Sequence, residues 1–141
     1  AYTAIPSPAR TLDPRNGTGA PAADLLGGQT LELASTGVAG VPAGASAVAV
    51  NLTIVGALAP GFAALYPCGT ARPDASNINY AAGQTIANSA VAKPGVGGKV
   101  CIYTSASADI LLDMAGFFPA GSDYTAILNP TRVLDTRNGF G

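Results

Sequence analysis

The chain has 141 residues and a formal net charge of −1, with 11% charged and 48% apolar residues. A length of this order fits one domain that buries roughly two-thirds of its unfolded surface, so a core stands without metal or several cross-links. The balance leaves no basic stripe for nucleic acid, no apolar run reaches the ~18 residues of a membrane-spanning helix, and the lack of any histidine removes imidazole metal sites and the usual catalytic triads.

In chain order, the stretch Pro8-Ala9-Arg10-Thr11-Leu12-Asp13-Pro14-Arg15-Asn16-Gly17-Thr18-Gly19 reads as an extended run closed by a turn. Asn-Gly followed by a second Gly tolerates positive φ. An unbroken strand places Arg10 and Leu12 on one face and Asp13 and Arg15 on the other. Asp13 then lies beside Arg15 and accepts turn amides.

Period-2 alternation begins at Thr30–Ala34, and a Gly- and Pro-rich loop follows over Gly37–Gly44. Ala47 to Ile54 is the clearest strand. Val48, Val50, Leu52 and Ile54 form its core face, and Ala47, Ala49, Asn51 and Thr53 the other. Ala59-Pro60-Gly61 turns the chain into Phe62–Tyr66, expected as the hairpin partner of that strand. Ala75–Tyr80 alternates again until Gly83. Ile86–Lys93, Lys99–Thr104 and Asp109–Phe118 complete the set, the last ending at Pro119. About seven or eight short strands without an amphipathic helix predict an all-β fold, a β-sandwich with a jelly-roll variant as the related form.

The opening recurs at an offset of 122. Tyr124-Thr125-Ala126-Ile127 repeats Tyr2 to Ile5, and Pro130 to Gly141 repeats Pro8 to Gly19, giving twelve identities in eighteen ungapped positions. Residues 1–141 therefore form one module whose motif at 2–19 returns at 124–141. Two explanations compete: a tandem array with this unit followed by the start of the next, or a terminal copy that closes the last domain. The motifs hold four of the seven basic residues. An Arg pair recognises carboxylates, but the preferred reading is two structural clamps, Asp13 with Arg15 and Asp135 with Arg137.

Cys68 and Cys101 each sit in a strand-like context. They are read as a disulfide, which favours an oxidising compartment; a pair of buried thiols is the alternative. With two cysteines and no histidine, no metal and no cofactor are expected. Chemistry is otherwise sparse. A glycosidase needs two carboxylates about 5–10 Å apart, and the acidic spacing singles out no pair; Asp109 and Asp113 share a strand face and read as strand ends. No enzymatic activity is expected. For sugar binding, Tyr66 and Tyr103 are assigned to packing around the cysteines. Tyr80, flanked by Asn77 and Asn79, is the candidate ligand-binding platform, with core packing as its competing role. Asp13, Asn16 and nearby carbonyls could hold a hard cation, but without calcium-loop spacing. The sequons at Asn16 and Asn51 carry no weight. An apolar, weakly charged surface is compatible with a homo-oligomer or a contact with neighbouring domains of the parent protein.

Taken together, Arg132-Val133-Leu134-Asp135-Thr136-Arg137, Val41-Pro42-Ala43, Ala49-Val50-Asn51-Leu52-Thr53, Tyr66-Pro67-Cys68-Gly69, Asn79-Tyr80 and Asp113-Met114-Ala115-Gly116-Phe117-Phe118-Pro119-Ala120-Gly121 resemble a repeat or accessory module of secreted actinobacterial proteins. Such modules occur in tandem or appended to extracellular glycoside hydrolases and surface proteins. The first copy departs from the pattern with Pro14 where Thr136 stands. The resemblance implies a secreted or cell-surface location and a non-catalytic accessory role: polysaccharide binding, attachment or oligomerisation. The alternative is a structural stalk with no ligand.

Overall fold

A computed structural model describes residues 1–128 and 130–141. Eight strands form two four-stranded antiparallel sheets packed as a sandwich: β1 (Thr3–Leu12), β2 (Thr30–Ala34), β3 (Ala47–Val55), β4 (Gly61–Pro67), β5 (Ile78–Tyr80), β6 (Ile86–Ala92), β7 (Lys99–Thr104) and β8 (Asp109–Phe118). The strand orders are β1-β8-β3-β6 and β2-β7-β4-β5. Among the described residues no helix is long and apolar enough to cross a membrane.

Alternation builds the core. Val48, Val50, Leu52 and Ile54 of β3 and Ile110, Leu112 and Met114 of β8 point inward and meet Ala63 and Leu65 of β4 with Val100 and Ile102 of β7. A bulge at Ala115, where Gly116 pairs with Ala49 but Met114 with Val50, resets β8 before its end. Gly116 is needed just there: a Cβ would overlap the Tyr2 phenol and the Thr3 carbonyl.

Two local expectations fail. The chain from β3 to β4 is not a hairpin. Residues 56–60 cross from one sheet to the other, fixed by the Leu58 amide on the Ser107 carbonyl at 2.9 Å. Arg10 and Leu12 do not share a face either. A register shift between them turns Leu12 into the core and leaves Arg10 on the surface.

The disulfide Cys68–Cys101 lies on the outer side of the second sheet, tying the end of β4 to β7. Ala64, Tyr66 and the two half-cystines form a small second cluster there, with Tyr103 packed against it.

Candidate functional site

The duplicated motif closes into the same turn twice. Asp13 and Thr18 exchange backbone hydrogen bonds of 2.9 and 3.0 Å, and Asp135 and Phe140 exchange theirs at 2.7 and 3.1 Å. Asn16 Oδ1 accepts the Thr18 amide and Asn138 Oδ1 the Phe140 amide, both at 3.1 Å. Gly19 and Gly141 both have positive φ, and a Cβ on either would overlap the carbonyl at the matching position, Thr11 or Val133. The local sequence alone dictates this geometry, because the surroundings of the two copies differ.

Each turn is locked by a carboxylate–guanidinium fork. Arg15 Nε and Nη2 donate to the two oxygens of Asp13 at 2.9 and 2.8 Å; Arg137 grips Asp135 at 2.8 and 2.6 Å. The backbone amides of Arg15 and Arg137 add bonds of 3.2 and 3.1 Å to the same carboxylates. The Arg15 hydrogen bonds hold the Asp13 carboxyl down at about 2. Those from Arg137 hold Asp135 below the usual carboxylate range. Both oxygens of each carboxylate are thus engaged by its arginine, as a structural clamp requires.

Beyond the turn the copies diverge. Residues 3–12 pair with β8, and Arg10 donates to both oxygens of Asp113 at 2.9 and 3.1 Å. Arg132, its counterpart, donates instead to the Asp74 carbonyl at 2.5 Å. Leu12 is wholly buried, while Leu134 is 60% exposed. Ile127, Leu128, Val133 and Phe140 are likewise more than half exposed. Two contacts are common to both copies: Arg10 and Arg132 reach Asp13 and Asp135 at 3.5 and 3.2 Å, and the Tyr2 and Tyr124 rings pack on Phe118, with centroids at 5.5 and 4.4 Å.

Between the second copy and the loop after β4 lies a polar cleft of about 550 Å³, with Phe62, Arg72, Ser76, Asn79, Arg132 and Arg137 on its walls. The Arg72 guanidinium carbon sits 3.7 Å from the Tyr103 ring centroid and 5.9 Å from that of Phe62. The two rings have centroids 5.7 Å apart and are partly exposed.

Tyr80 itself is buried. Its hydroxyl lies 2.6 Å from Thr104 Oγ1 and accepts the Ala106 amide at 3.2 Å, so the ring cannot stack on a ligand. Asn77 has structural bonds as well: its side-chain oxygen accepts the Leu65 amide at 2.8 Å, and its carbonyl accepts Asn88 Nδ2 at 2.6 Å, linking the residue before β5 to β6. Asn79 is exposed and accepts Ser76 Oγ at 2.7 Å. Asn77 and Asn79 do line one polar hollow together with Asn88, but Tyr80 is not part of it. Strand alternation separates Tyr80 from both asparagines, and that signal was present in the sequence.

The fold also brings together a carboxyl pair that spacing concealed. Burial first, and then the Asp24 carboxyl facing it, push the Asp109 carboxyl up. Asp24 borders a small hollow walled by Pro14, Pro21, Leu25 and Leu31. Glu32 approaches Cys68 and Cys101, but sulfurs bonded to each other offer no thiolate to a metal. No family model, curated protein or solved structure matches the chain.

Proposed function

We propose that this chain is a repeat unit that serves as a non-catalytic accessory module of a secreted polysaccharide-acting enzyme or surface protein. One observation carries the reading: the second motif copy has a complete turn and clamp yet leaves Leu134 outside any core, as the first strand of a following unit would. The Cys68–Cys101 bond supports an oxidising, extracellular location. A chain made by joining residues 1–141 directly to residues 20–141, in which the second motif copy must supply the first strand of the following unit, tests the repeat. Amides of its middle motif should exchange with solvent as slowly as those of β1. Free exchange there would remove the repeat reading.

Carbohydrate binding is the second reading, supported by Phe62 and Tyr103 beneath Arg72 at the cleft that Asn79 borders. Aromatic faces beside polar groups suit sugar rings, which present both C–H and hydroxyl surface. Pull-downs with glucan, xylan, chitin and cell-wall preparations should retain the chain and lose it on Phe62→Ala. Failure with every preparation leaves the ligand-free stalk or oligomer, for which light scattering gives the copy number.

A further inference from the structure

The position beside β8 is occupied by residues 3–12, but little about it is unique to those residues. β1 lies at the edge of its sheet, so its departure would expose β8 alone. The second copy carries the same arginine, leucine and clamp, Arg132, Leu134 and Asp135, for the tasks that Arg10, Leu12 and Asp13 perform. It is also tethered within reach. Tyr124 already stacks on Phe118 at the end of β8, where Tyr2 leads β1 in. In the β1 register Thr3 opposes Phe117. If Thr125 took that place, Pro119 to Asp123 would form the connecting loop, about five residues, within the ordinary range for a β-hairpin. A turn already exists there, with the Ser122 amide on the Pro119 carbonyl at 3.2 Å.

We propose that the free edge of β8 is a strand-binding site whose ligand is this motif, and that the C-terminal copy, residues 124–141, occupies it when β1 leaves. Within one molecule it docks as a hairpin. Between molecules the same segment docks on the β8 of a second copy and joins units by strand exchange. In either case Arg132 replaces Arg10 on Asp113 and Leu134 enters the core position of Leu12. The first copy prevails in the resting unit because its chain continues into the fold: Ala20 and Leu25 pack against the core, and Leu25 bridges to Ala108. The proposal goes beyond the accessory-module reading and depends on the duplication alone, so it survives if no polysaccharide binds.

Hydrogen exchange read by mass spectrometry on the full chain tests it. In the double variant Arg10→Ala, Leu12→Ala, amides 4, 5, 7 and 9–12 should lose protection while amides 126–128 and 131–134 exchange at least tenfold more slowly than in the parent. Protection that persists on dilution marks the hairpin; protection that appears with a dimer in light scattering marks exchange between molecules. Adding Arg132→Ala and Leu134→Ala should abolish the new protection in both cases. The proposal is overturned if the second copy exchanges as freely as before, whether the variant stays folded or unfolds. The milder Arg10→Ala alone, at an exposed side chain, should give the same shift in part. No change in the second copy in either variant would be decisive against it.

Discussion

Leu12 and Leu134 occupy the same place in two copies of one motif, and the first is wholly buried while the second faces solvent. Identical local chemistry thus meets opposite tertiary surroundings. Leu134→Ala should therefore change the unfolding free energy by less than about 0.5 kcal/mol. Leu112→Ala, at a fully buried β8 position, should cost about 2–5 kcal/mol. Urea unfolding of the two variants checks the contrast; a large loss at Leu134 would mean that the second copy is packed into this unit after all.

The disulfide spans a sequence separation of 33 residues. In the chain-entropy account, closing such a loop stabilises the fold by about 3–4 kcal/mol. Melting curves of the Cys68→Ala, Cys101→Ala variant, or of the parent in reductant, should fall accordingly. An unchanged midpoint would assign the cysteines a role other than stability.

Asp13 contributes stability that depends on pH. The Arg15 hydrogen bonds hold its carboxyl at about 2, below the ordinary carboxylate value, so its contribution is fully present above that ordinary value and is lost as pH falls from about 4 towards 2. Unfolding midpoints at pH 6, 4 and 2 should show this decline, and Arg15→Ala should flatten it. An equally steep decline in Arg15→Ala would show that other carboxylates govern acid unfolding.

Asp109 has the opposite sign. Its folded value is raised, so the charged form is a burden above the usual carboxylate range and none well below it. Asp109→Asn should raise the melting temperature near pH 7 and leave it unchanged near pH 3. A lower melting temperature at neutral pH would show that the attraction of Arg15 outweighs burial and the Asp24 charge.

Tyr80→Phe removes a hydroxyl that serves Thr104 Oγ1 and the Ala106 amide inside the sandwich. Leaving such groups unsatisfied costs about 1–3 kcal/mol. Arg72→Ala, at an exposed guanidinium, should cost far less. Equal losses from the two changes would contradict their assigned places.

Most strands were legible because one face of each is buried and the other is wet, as in β3. What sequence could not give was which strands meet. The step from β3 to β4 looked like a hairpin because Ala59-Pro60-Gly61 turns a chain equally well within a sheet or between sheets. Bulges hid the facing of Arg10 and Leu12, since one extra residue reverses alternation. Tyr80 misled for a different reason: a tyrosine beside asparagines suggests a binding surface, although its even spacing from Ile78 already placed it inward. Asp24 and Asp109, 85 positions apart by subtraction, had no local signature at all. The motif turn was the most legible feature, being written wholly in neighbouring residues.

The pairing of Thr3 with Phe117 has a mechanical consequence. Chain enters β1 and leaves β8 at the same end of one antiparallel ladder, so tension between those points unzips its hydrogen bonds in succession rather than shearing them together. Each bond resists with only about 0.5–1.5 kcal/mol. Under load the unit gives way first at β1, releasing slack at low force. The crosslink between β4 and β7 lies outside that path and keeps the opposite sheet joined while the first edge peels.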